Sequence, residues 1–134
     1  MDPRTAQTAS RVIVVDSSIW IDHIHTGEAL LSTLLIRRQA LMHPHALGEI
    51  ALGSIRGRQA VLARFERLPV PNVAKDGYVR YMIDEHRLAA TGIGYTDAHL
   101  LASALITPDG RLWTRDKRLH AQAERLGVAY YYYD

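Results

Sequence analysis

The chain has 134 residues, of which 48% are hydrophobic and 22% charged, with a net charge of +2, a balance expected of one soluble globular domain with no room for a second core. It has no cysteine, which excludes disulfides, zinc–thiolate centres and thiol catalysis. No apolar run approaches the roughly 20 residues of a membrane span, and residues 1–10 are too polar for a signal peptide, so a loose tail, a domain over 11–134 and a cytoplasmic setting without membrane contact are expected.

The first element is the run Val12-Ile13-Val14-Val15, closed by Asp16; an uninterrupted β-branched run predicts a strand buried on both faces, as in a parallel sheet. Ser17 and Ser18 are cap residues ahead of a short helix over 19–24. Leu30, Leu31, Leu34 and Leu35 recur at helical spacing and predict a helix over 27–38. Ala40-Leu41-Met42 reads as a short strand stopped by Pro44, and 45–55 as a helix with Glu49 inside it, ended by Gly57. A helix over 59–67 stops at Pro69 and Pro71, with a short strand over 70–73. Residues 75–90 predict a long amphipathic helix, and 91–94 a loop. Thr96 then reads as an N-cap with Asp97 at the first helical position. Pro108-Asp109-Gly110 is a turn, 112–114 a strand, 117–126 a helix closed by Gly127, and 128–133 a last strand. Alternating strands and helices imply an α/β fold, a three-layer α/β/α sandwich on a central, mostly parallel sheet. Right-handed crossovers then collect the C-terminal strand ends along one edge, where such sheets carry their sites.

Four of the 14 acidic residues stand where acids are scarce. Asp16 and Asp116 follow apolar strands, Asp97 starts a helix, and Glu49 interrupts an apolar helix. Any one of them can be a cap or a solvated charge. Taken together they suit one sheet edge, where like charges repel and a hard dication with oxygen ligands, Mg2+ or Mn2+, relieves the repulsion. The chemistry expected of such a centre is phosphodiester hydrolysis by metal-activated water. Of the 16 basic residues only Lys75 and Lys117 are lysine. Arginine binds phosphate bidentately, so nucleic acid is a permitted partner, with solvated surface charge as the plainer account.

The stretch Val12-Ile13-Val14-Val15-Asp16-Ser17-Ser18-Ile19-Trp20-Ile21 resembles the opening of VapC-type PIN domains, the ribonuclease toxins of bacterial toxin–antitoxin pairs. Thr96-Asp97-Ala98-His99-Leu100 resembles their third acidic motif, Leu112-Trp113-Thr114-Arg115-Asp116-Lys117 their fourth, and Leu47-Gly48-Glu49-Ile50 the less specific second. The resemblance runs from Val12 to the C-terminus with the motifs in the family's order. It implies a PIN-like fold, metal-dependent endoribonuclease activity, and Asp16, Glu49, Asp97 and Asp116 as catalytic metal ligands supported by Thr114, Ser17 and Ser18. Arg115, Lys117 and Arg118 flank that site and are candidates for holding RNA phosphates. Where some relatives carry a further acid, this chain has Arg118, Leu119 and His120, which leaves one metal or two open. The family further implies a structured cellular RNA as substrate, a homodimer and a cognate VapB-type antitoxin; the apolar residues of the helices over 27–38 and 45–67 exceed what one sheet face needs, which places the antitoxin groove there.

Other readings fit less well. A phosphatase of the haloacid-dehalogenase kind needs a second Asp where Ser18 stands, and a phospho-receiver domain needs a further acceptor Asp that is missing. A non-catalytic PIN-like protein- or RNA-binding module has no need of all four acids. The pairs His23/His25 and His43/His45 do not share a helix face and read as loop or surface residues. Tyr130–Tyr133 read as a half-buried edge strand, and Trp20 and Tyr95 as packing residues beside the acidic motifs.

Overall fold

A computed structural model describes residues 11–131; the expected tail over 1–10 and the last residues of the expected final strand lie outside them. Three strands, β1 (Val12–Val15), β2 (Ala40–Leu41) and β3 (Gly110–Trp113), form a sheet ordered β2-β1-β3, and both pairings are parallel. Seven helices surround it among the described residues: α1 (Ser17–Thr26), α2 (Ala29–Ile36), α3 (Pro44–Ala51), α4 (Arg58–Phe65), α5 (Asp76–Glu85), α6 (Tyr95–Ile106) and α7 (Lys117–Arg125).

The central strand is buried on both faces, as its unbroken apolar run predicts: Ile13, Val14 and Val15 have no exposed surface. Each contributes on the order of 1.5–3 kcal/mol by leaving water. From β1 the chain crosses to β2 through α1 and α2, then returns past β1 to β3 through α3 to α6. Right-handed crossings in opposite directions place their helices on opposite faces of the sheet. Accordingly α2 packs on β2, α6 on β1 and β3, and α7 on β3. The crossings diverge between β1 and β3, which makes the C-terminal ends of those strands the topological switch point where such sheets bind ligands.

Several boundaries differ from the sequence expectation. The helix expected over 75–90 stops at Glu85: Arg87 takes a left-handed φ of 53°, the Leu88 N–H turns back to the Ile83 carbonyl, and Leu88 is buried beneath. No strand forms over 70–73. Prolines 69 and 71 cannot donate to a ladder, and Asn72 ties the segment to Thr107 Oγ1 and the Ile106 carbonyl instead. Gly57 does not end α3; with φ 64° it caps the start of α4. The N-cap of α6 is Gly94 rather than Thr96, so Asp97 lies at the third helical position, not the first. The final strand reduces, among the described residues, to one parallel bridge between Ala129 and Leu112.

Candidate active site

Asp16 ends β1 and is nearly buried. Its N–H continues the ladder to the Trp113 carbonyl, which fixes it opposite the end of β3. There Thr114, also buried, donates from Oγ1 to Asp16 Oδ2 at 2.7 Å. Ser18 donates to the same oxygen at 3.2 Å. The Ser17 hydroxyl lies 3.5 Å from Asp16 Oδ1 and 3.4 Å from Glu49 Oε1, so it spans the two acids. The three hydroxyl residues expected to support the site therefore all engage Asp16.

Asp116, two residues beyond Thr114, caps α7: its Oδ1 accepts the N–H groups of Arg118 and Leu119. Asp97 accepts the Gly94 N–H on Oδ2 at 3.1 Å. In each case the second carboxylate oxygen has no bonded donor among the described residues and remains available to a ligand. Asp16 is itself the N-cap of α1. Three carboxylates thus stand at helix N-termini, whose partial positive charge offsets some of the repulsion between them.

That compensation is incomplete. The Asp97 carboxyl is pushed above the ordinary range by burial and by Asp16 and Asp116, against the Gly94 hydrogen bond. Glu49 keeps contact with solvent, yet its carboxyl is also pushed up, first by lost hydration and then by Asp16 and Asp97. Asp16 thus acts on both Glu49 and Asp97, Asp97 on Glu49, and Asp116 on Asp97. The set offers oxygen donors only, with surplus negative charge, which is the donor chemistry of a hard dication. Among the described residues no group of three or more His, Asp or Glu side chains is placed closely enough to hold a metal ion as it stands.

The basic residues divide. Arg115 is engaged by Asp22 of α1 and by Glu28, so its guanidinium braces the β3–α7 turn against α1. Lys117 and Arg118 are exposed; Arg118 lies over Gly92, in the loop leading to Asp97. Trp113, Thr114, Lys117, His120, Glu124 and Tyr130 line a cleft of about 540 Å³ alongside the strand ends.

The reading of His43 and His45 as loop or surface residues is corrected. His43 is fully buried and caps α3, its Nδ1 accepting the His45 N–H at 2.9 Å. The proton of the neutral ring therefore sits on Nε2. Burial, then His45 and His99, lowers its pKa to about 4. His99 of α6 is also buried, its ring 4.1 Å from His45 and 6.1 Å from His43 between centroids. Its Nε2 faces Asp76 Oδ1 at 2.9 Å, and Tyr95 donates its hydroxyl to the same oxygen at 2.9 Å. Neither Asp76 nor Tyr95 serves the core: Tyr95 is 45% exposed, unlike Trp20, which is fully buried. No periodicity marks this group, because its members come from α3, α5 and α6.

Over 119 residues the chain is 42% identical to Ribonuclease VapC32 of Mycobacterium tuberculosis, in strain CDC 1551 / Oshkosh and equally in strain ATCC 25618 / H37Rv. The match covers 88% of this chain and 95% of each relative. No family model matches, and no solved structure gives a significant match.

Proposed function

Because the chain belongs to the VapC ribonuclease family, we propose that it is an endoribonuclease, the toxin of a toxin–antitoxin pair, which hydrolyses RNA phosphodiester bonds at the edge formed by Asp16, Glu49, Asp97 and Asp116. The observation that carries the reading is the junction of the two strand ends. The 2.7 Å bond from Thr114 to Asp16 joins β1 to β3, and Glu49 and Asp97 feel the charge of Asp16 from separate helices. Neither rival explains that gathering. Ser18, where a dehalogenase-type phosphatase needs an acid, donates a hydrogen bond to Asp16 instead, and a binding module has no use for mutual repulsion.

The four carboxylates would hold Mg2+ or Mn2+, which supplies the positive charge that polarises the phosphate and promotes ionisation of the attacking water. The protein's own part is positioning. Thr114 and Ser18 hold Asp16 in place, and the amides at the start of α7 do the same for Asp116. Glu49 and Asp97 bring the remaining two carboxylates within reach of the charge of Asp16 from α3 and α6. Lys117 and Arg118 present exposed cations to the phosphates on either side.

A cognate antitoxin is the natural partner of such a toxin. The groove of about 350 Å³ lined by His23, Ile24, Leu35, Val61, Phe65 and Leu68, between α1, α2 and α4, suits an amphipathic segment. A homodimer belongs to the same reading. The test is cleavage of a structured RNA by purified protein. Magnesium or manganese should support cutting, excess chelator should stop it, and calcium should restore it poorly because its coordination is larger and looser. Undiminished cleavage in chelator would overturn the metal mechanism, and absence of cleavage under every condition would overturn the ribonuclease reading.

A further inference from the structure

We propose that Tyr95, with the His45–His99 ring pair and the guanidinium of Arg80 beside it, forms a shelf on which an unstacked base of single-stranded RNA lies next to the phosphodiester under attack. The proposal rests on the ribonuclease reading and names how that site holds its substrate. Tyr95 stands two residues before Asp97. His45 lies four residues before Glu49 on α3, so both occupy one helix face about one 5.4 Å turn apart. His45 stacks across to His99 of α6 at 4.1 Å. Through His45 the aromatic group begins one turn from Glu49 on α3; on α6, Tyr95 and His99 lie two residues to either side of Asp97 and so on the other face of that helix.

The shelf is built before any ligand arrives. Tyr95 meets His99 at 4.8 Å and 89°, and its hydroxyl is held by Asp76. Asp76 also binds His99, so one carboxylate at the start of α5 fastens both rings. A ring fixed in this way loses little further freedom on binding. It is nonetheless 45% exposed, so part of its ring remains open to a ligand. Arg80, exposed one turn after Asp76, lies close enough to act on both Asp76 and Tyr95. A ring face beside a guanidinium matches a nucleotide, whose base stacks while its phosphate pairs with the cation.

The test separates stacking from packing. Binding is measured by fluorescence anisotropy in calcium, with a short labelled RNA strand of mixed sequence. The comparison series carries one abasic site at each position in turn. Tyr95→Phe keeps the ring and should bind much as the parent does. Tyr95→Leu keeps bulk without a π face and should weaken binding about five- to a hundredfold, the range for loss of one stacked base. In magnesium that loss should appear in KM while kcat is kept. Against the strand lacking one particular base, wild type and Tyr95→Leu should bind alike. Equal binding by the Phe and Leu variants, or a Leu defect that persists against every abasic strand, would overturn the shelf while leaving the nuclease intact. A Leu variant that handles RNA normally but loses self-association or an inhibitory partner would also overturn it, by making the shelf a protein contact. A parent that neither binds nor cuts RNA would instead overturn the reading beneath it.

Discussion

The role proposed for Asp97 and Glu49 comes with a cost to stability. Both carboxyls are pushed upward in the fold, so the charged form is disfavoured there relative to the unfolded chain, and the resulting strain is relieved as pH falls. Asn at position 97 reproduces the relieved state and can still accept the Gly94 N–H. Asp97→Asn should therefore melt at a higher temperature than the parent in chelator while losing more than about a hundredfold in RNA cleavage, more than loss of an outer-shell partner costs. Asp16→Asn should lose the same activity. Full nuclease activity in either variant sinks the proposed site. His43 has the opposite linkage. Its folded pKa of about 4 lies below the unfolded 6.5, so the unfolded chain binds the extra proton between those values. Its contribution is complete above pH 6.5 and is lost as pH falls toward 4, amounting to about 3 kcal/mol at the bottom of that window. Melting temperatures from pH 7 to 4.5 should show the decline, and His43→Asn, which can still cap α3, should flatten it; an unchanged slope would assign the decline to other groups.

The helix starts show that the cap reading and the site reading of the same acid are compatible. Asp116 spends Oδ1 on the amides of α7 and, among the described residues, keeps Oδ2 available, so the residue that starts the helix is held by it in the position proposed for a ligand. The two roles can be separated. Asp116→Asn should preserve the cap and lose activity, whereas Asp116→Ala should lose activity and also about 1 kcal/mol of stability. Chemical denaturation of the three proteins beside a cleavage assay tests this, and an Ala variant as stable as Asn would remove the capping role. Arg115 connects elements in another way. By engaging Asp22 and Glu28 it ties the β3–α7 turn to the α1 side of the molecule, whereas among the described residues no ion pair engages Lys117 or Arg118.

The order β2-β1-β3 makes all of these placements coincide, because the chain leaves β1 in opposite directions and exposes the strand ends between. On the α1–α2–α4 flank the same arrangement leaves the groove around Phe65 and Leu68, with Leu52 exposed on the connection leading to α4. If an antitoxin segment covers that apolar surface, co-expression with the gene product encoded beside the toxin should raise solubility and suppress cleavage together. Purifying the pair, assaying it, then removing the partner by limited proteolysis checks the claim. An intact complex that cuts RNA as fast as the freed toxin defeats the inhibitory role and leaves the nuclease assignment standing.

Much of this was legible in the residues. An unbroken Val-Ile-Val-Val run can hide both faces only inside a parallel sheet, and an acid directly after it marks the strand end whatever surrounds it. The three strand positions, the order of the helices and the four candidate acids followed from such local patterns, whereas the supporting hydroxyls around Asp16 came from the resemblance to VapC-type domains. Helix ends were less legible. Whether Arg87 turns left-handed, or Gly57 opens rather than closes a helix, depends on what packs next, here the buried Leu88 and the half-buried Leu62 and Phe65 of α4. Least legible of all was the group of His43, His45, Tyr95, His99 and Asp76. Its members lie up to 56 positions apart on three helices, and spacing along a chain carries no trace of contacts made across it. Local pattern therefore set the identity of the elements and the chemistry of the edge, since both depend on neighbouring residues. Packing alone settled which charges are paired, which rings are exposed and which histidine stays neutral, because burial and repulsion are properties of groups brought together in space.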